Sequence, residues 1–117
     1  KVVLPYHLDA VKQIGGRLAL DFVDDMDERV AGIVAERERL TDTMAKLPLD
    51  VFPSGANFIL VRPRDMGGRD LWQALLDRGV LVRDCSGWPH LADCLRVTIG
   101  TPDENTIFLD ALTEALT

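Results

Sequence analysis

The sequence is poor in the residues from which metal and nucleophile sites are assembled. It holds two cysteines and two histidines, and Cys85 and Cys94 lack the C-x-x-C spacing of a metal site. His90 has no nucleophile or second acid to work with, which leaves a lone imidazole without a catalytic set. Long apolar runs are missing as well. Stretches such as Phe58 to Val61 fall far short of the roughly 18 residues a membrane span needs, so no membrane partner is expected. Basic residues are outnumbered, 13 against 19 acidic ones, for a net charge of −6. A nucleic-acid backbone would be repelled on average, and nucleic acid is not an expected partner. No P-loop, Rossmann glycine motif, nucleophile elbow or internal repeat is found. With so few cysteines, free thiols in a reducing, cytoplasmic compartment are the plainer expectation.

What is present is an ordinary globular balance. The composition is 47% hydrophobic, with the apolar residues spread along the chain, which argues against disorder. A chain of 117 residues suits one domain. It opens on Lys1-Val2-Val3-Leu4-Pro5, already apolar and without a signal-peptide pattern, which reads as a segment of a longer protein.

Periodicity places the elements. Leu8, Val11, Ile14, Leu18 and Phe22 recur at helical steps over residues 8–22, with His7 and Asp9 at the start. A second helix is predicted over 26–47, striped by Val30, Ile33, Arg37, Leu40, Met44 and Leu47 and stopped by Pro48. Its other face is charged, which reads as a solvated surface or, alternatively, a docking face. Strands are predicted at 49–52, 56–61, 80–82 and 95–99. A helix over 69–78, with Leu71, Trp72, Leu75 and Leu76 inward, ends at Gly79. Thr101-Pro102-Asp103-Glu104 has the capping-box form that opens a last helix. The order is α-α-β-β-α-β-β-α. It implies an α+β sandwich, a small and mainly antiparallel sheet covered by helices on one face. Residues 1–47 form a two-helix lead-in and 48–117 a sheet-and-helix subdomain of one domain, 1–117.

Arg83 and Arg96 are the candidate site residues. Leu95, Val97 and Ile99 share one strand face, and Arg96 and Thr98 share the other. Arg83 ends the preceding strand, out of phase with Val80 and Val82. If these strands pair, both guanidiniums project to one side and suit a phosphate or carboxylate. The alternative is that Asp84 and Asp93 neutralise them. The loop containing Ser86-Gly87-Trp88-Pro89-His90 reads as a turn anchored on the core by Trp88, or as a wall of a site. Cys85, two residues from Arg83, has little else to favour a thiolate.

Four blocks carry a family resemblance. They are Leu4-Pro5-Tyr6-His7-Leu8-Asp9-Ala10-Val11-Lys12-Gln13; Ala56-Asn57-Phe58 after Pro53-Ser54-Gly55; Gly79-x-x-Val82-Arg83-Asp84; and Leu95-Arg96-Val97-Thr98-Ile99-Gly100-Thr101-x-x-Glu104-Asn105. In this order they resemble the C-terminal small domain of histidinol-phosphate aminotransferases, which are fold-type I enzymes. Val3 departs from the pattern, since many relatives carry arginine there. The resemblance implies a homodimeric pyridoxal-phosphate enzyme of histidine biosynthesis. Such an enzyme interconverts histidinol phosphate and 2-oxoglutarate with imidazole acetol phosphate and glutamate. It implies that the cofactor is held mainly by a large domain of the same chain, whose Schiff-base lysine has no counterpart among Lys1, Lys12 and Lys46. It further implies that Arg96 binds the anionic group of either substrate and Arg83 that of the phosphate-bearing one. Catalytic, cofactor-binding and metal residues are not expected in this segment, which alone is expected to be inactive. Two alternatives remain: an anion-binding or regulatory α/β module, and an aromatic- or aspartate-type aminotransferase domain.

Overall fold

The computed structural model describes residues 8–117. Lys1, Val3 and the Leu4-Pro5-Tyr6-His7 part of the first block lie outside the described residues. Two compact units divide the chain, Lys1–Ala31 and Gly32–Thr117.

In the first unit Asp9 caps α1 (Ala10–Ala19), accepting the Lys12 N–H at 2.9 Å. An acceptor there satisfies an N–H group that the helix start leaves unpaired. A 3-10 turn, Leu20–Phe22, leads into α2 (Val23–Met44). The predicted gap between the two helices is thus a tightened helical turn, because neither proline nor glycine interrupts residues 20–26. The stripe Leu8, Val11, Ile14, Leu18 and Phe22 is exposed throughout.

The second unit holds β1 (Leu49–Val51), β2 (Phe58–Pro63), α3 (Gly68–Asp77), β3 (Arg83–Asp84), β4 (Leu95–Thr98) and α4 (Pro102–Ala115). The strands form one sheet in the order β1-β2-β4-β3, with every neighbouring pair antiparallel. Ile59 and Val61 of β2 and Leu95 and Val97 of β4 point into the core. There they meet Leu40 and Met44 of α2, Leu71 and Leu75 of α3, and Phe108 and Leu112 of α4. Phe58, Leu60 and Arg62, with Arg96 and Thr98, occupy the other face, which is half-buried or exposed. The α+β arrangement and the helix-covered face agree with the sequence pattern.

Several details differ from it. Residues 80–82 are not a strand, because their backbone groups serve α3 instead. The Val80 N–H donates to Leu75 O and the Gly79 N–H to Leu76 O, both at 2.9 Å, while Val82 O accepts from Trp72 Nε1. This is a Schellman closure, and Gly79 takes the left-handed φ of 77° that it requires. Leu76 is partly exposed rather than inward. Trp88 does not anchor its loop; it is 54% exposed, and the loop is held instead at its roots by the buried Cys85 and Cys94. The Cys85 N–H donates to Cys94 O at 2.9 Å, continuing the β3–β4 ladder by one bond.

Candidate anion-binding site

Arg83 stands directly opposite Arg96 across the β3–β4 pair. Directly opposed residues of an antiparallel pair share a face, so both guanidiniums lie on the outer side of the sheet. Leu60 of β2 extends the row beyond Arg96. The Arg96 guanidinium carbon lies 5.3 Å from the centre of the Phe58 ring, within cation–π range.

Like charges directly opposed destabilise a sheet unless something neutralises them. The acids expected to do so are engaged elsewhere. Asp84 accepts the Ser86 N–H at 2.9 Å and pairs with Arg69 at 3.4 Å. These bonds hold its carboxyl below the ordinary aspartate range, those from Ser86 contributing most. Asp93 accepts the Gly68 N–H at 2.9 Å. Among the described residues neither Arg83 nor Arg96 forms an ion pair, and the buried Nε of Arg96 has no hydrogen-bond partner. A buried N–H donor without an acceptor carries a desolvation cost of about 1–3 kcal/mol, which an arriving oxyanion would relieve.

Two cavities open on this pair. One, of about 500 Å³, runs from Arg83 and Arg96 past Thr98 and Gly100 to Glu104 and Asn105 on α4. The other, of about 420 Å³, lies toward Trp72 and Asp84. Leu81, 74% exposed, lines both. Glu104, the acid in the larger cavity, is committed to the capping box. Its Oε2 accepts the Thr101 N–H at 2.8 Å, which keeps its carboxyl below the ordinary range. Asn105 is buried, with Oδ1 accepting the Gly100 N–H at 2.9 Å and Nδ2 donating to Gly100 O at 3.0 Å and to Glu36 Oε2 at 2.7 Å.

The other sequence candidates stand apart. His90 is exposed in a left-handed conformation, φ 65°, and lines neither cavity. Cys85 and Cys94 are free and buried, and burial pushes the Cys94 thiol up, which disfavours a reactive thiolate. Sequence reasoning missed Leu81 and Asn105 as cavity residues, and it read the charged face of the second helix, which holds Glu36, as a solvated surface or a docking face. An exposed leucine beside two free arginines has no periodic signature. Asn105 was visible only as part of a family block.

Fold and arginine pair together describe an α+β domain with two opposed arginines that form no ion pair among the described residues. The chain belongs to the aminotransferase class I and II family, whose profile matches residues 7–112. Histidinol-phosphate aminotransferase 1 of Ralstonia nicotianae is 44% identical over 99% of this chain and 31% of that protein. The crystal structure of the histidinol-phosphate aminotransferase from Clostridium acetobutylicum matches with a TM-score of 0.74 at 30% identity, over 79% of this chain and 28% of that one. That of the Sinorhizobium meliloti histidinol-phosphate aminotransferase, solved in complex with pyridoxal-5'-phosphate, matches with a TM-score of 0.75 at 26% identity, over 84% and 27%. The chain spans about a third of the length of the curated relatives it matches.

Proposed function

We propose that this chain is the C-terminal small domain of a pyridoxal-phosphate-dependent aminotransferase that transfers an amino group between histidinol phosphate and 2-oxoglutarate. Its contribution is the substrate's anion clamp. The observation that carries this reading is the opposed pair Arg83 and Arg96, without carboxylate partners among the described residues and open to a cavity. Arg96 is the more enclosed and has the partnerless Nε, which suits a group common to both substrates. Arg83 is exposed at the sheet edge, which suits the additional charge of a phosphate over a carboxylate. Two guanidiniums balance a dianionic phosphate, whereas a single carboxylate needs only one of them.

Pyridoxal phosphate supplies the electron sink for amino-group chemistry when bound, and it is anchored through a lysine amine. The lysines among the described residues are Lys12, paired with Asp9 at 3.0 Å, and the exposed Lys46. Neither lines the cavities, so these residues do not fit the cofactor's covalent attachment. The large domain of the same chain, in a homodimer, is the partner this reading requires.

The test is a graft. Residues 1–117 replace the matching third of the Ralstonia nicotianae enzyme, and transamination is followed with both substrates. Activity is expected. Arg96→Ala should lower kcat/KM for glutamate and for histidinol phosphate by about 10- to 150-fold, the equivalent of a charged hydrogen bond. Arg83→Ala should affect histidinol phosphate more than glutamate. Equal losses on both substrates would refute that division of labour.

A further inference from the structure

Among the described residues no ion pair or hydrogen bond fixes the two guanidiniums, yet the backbone that carries them is tied at three points to the first turns of α3. Trp72 Nε1 donates to Val82 O at 2.9 Å, one residue before Arg83. Arg69 Nη1 reaches Asp84 Oδ2 at 3.4 Å, one residue after it, with its guanidinium carbon 4.3 Å from the centre of the Trp72 ring. Asp93 Oδ1, three residues before Arg96, accepts the Gly68 N–H at 2.9 Å. Residues 68–72 therefore hold β3 and the turn that leads into β4.

The Asp93 contact has the features of a built joint. Gly67, the N-cap of α3, offers no side-chain acceptor, so Asp93 supplies the cap from a distant part of the chain. Asp93 adopts a left-handed φ of 59°, which non-glycine residues seldom occupy, aspartate and asparagine less rarely than most. Gly68 has no room for a side chain, because a Cβ there would lie 2.4 Å from Asp93 O and 2.6 Å from its carbonyl carbon. Strained positions of this kind persist only where the surroundings hold them in place. Asp93 lines neither cavity and so does not itself receive the ligand.

We propose that Asp93, with Trp72, is a positioning residue of the anion site, setting the spacing of Arg83 and Arg96 through α3. The inference rests on the reading of those arginines as an anion clamp. It makes a prediction opposite in sign to simple electrostatics. Removing a negative charge from the domain that carries the two guanidiniums should, by Coulomb's law alone, strengthen anion binding. Loss of a positioning contact should weaken it.

The experiment titrates inorganic phosphate into the full chain and follows the Nε–H signals of Arg83 and Arg96 by NMR. Saturable binding is expected in the wild type and should be lost in Arg96→Ala. In Asp93→Ala the phosphate Kd should rise about three- to tenfold, the equivalent of one hydrogen bond. Asp93→Asn removes the same charge but keeps an acceptor and tolerates the left-handed backbone, so its Kd should stay at the wild-type value or fall. Trp72→Phe keeps the ring and loses the donor; it should raise the Kd, with the larger change at the Arg83 signal. If Asp93→Ala does not fold, the last two variants decide. A lowered Tm with unchanged phosphate binding in Asp93→Ala and Trp72→Phe would reduce the joint to a structural role and overturn the proposal. Phosphate binding that is absent in the wild type, or indifferent to Arg96→Ala, would overturn the clamp itself.

Discussion

Replacing Asn105 with alanine should remove three hydrogen bonds in one step and loosen the segment on which β4 ends. Asn105 holds both backbone groups of Gly100 and donates to Glu36 on α2. Each such bond is worth about 0.5–1.5 kcal/mol net, so the three together come to about 3 kcal/mol. The Arg39 guanidinium still holds Glu36 at 2.8 Å, which keeps that carboxylate from being stranded. For a unit the size of Gly32–Thr117, about 3 kcal/mol corresponds to a fall in Tm of roughly 12–24 °C. Urea titration followed by far-UV circular dichroism measures it. Glu114→Ala serves as the control. Glu114 belongs to a well-exposed pair with Arg78, and such pairs contribute at most about 1 kcal/mol. Asn105→Asp provides a second arm, because it sets a carboxylate against Glu36 and its penalty should shrink as the pH is lowered. A loss under about 1 kcal/mol in Asn105→Ala, with the slope of the urea transition unchanged, would refute the assignment of this network as a main tie.

Gly68→Ala should destabilise by about 1–3 kcal/mol, although alanine is ordinarily the better helix former. Overpacking against the Asp93 backbone outweighs the propensity gain of at most about 1 kcal/mol. Gly15→Ala, where nothing approaches within 4 Å, should instead be neutral or stabilising, and equal effects at the two sites would contradict the close approach. Acid should destabilise the chain late. Glu36, Asp50, Asp84 and Glu104 all have lowered pKa values, the largest causes being hydrogen bonds from Arg39, Arg64, Ser86 and Thr101. A depressed carboxylate contributes stability above its unfolded pKa and loses it as pH falls through the folded value. Tm should therefore be level from neutrality to about pH 5 and fall below about pH 4; a decline beginning near pH 6 would contradict this.

The fold was legible wherever local pattern and tertiary packing agreed. The alternation Leu95-Val97 against Arg96-Thr98, the capping box at Thr101 and the glycine closing α3 all stand as the sequence implied. Errors arose where backbone hydrogen bonds went to unforeseen partners. Residues 80–82 have strand-forming side chains, but their backbone groups bind α3. The arginine pair was legible as a possibility only. Whether Asp84 and Asp93 would neutralise it depended on Arg69 and Gly68, residues distant in sequence that drew those acids away. The exposed stripe on α1 has the periodicity of a buried one, because amphipathic spacing reports a helix and not what covers it.

Two opposed arginines with no counter-charge among the described residues give evolution and engineering conflicting instructions. Selected for thermal resistance alone, this chain would tend to lose one of them, since the sheet edge gains when like charges are separated. Charge-optimised redesign would offer such a replacement, a carboxylate at position 83 that closes an ion pair with Arg96. Each such change would improve the fold while blocking the proposed anion clamp. On the proposed reading, the pair measures how much stability this domain forgoes in order to remain receptive.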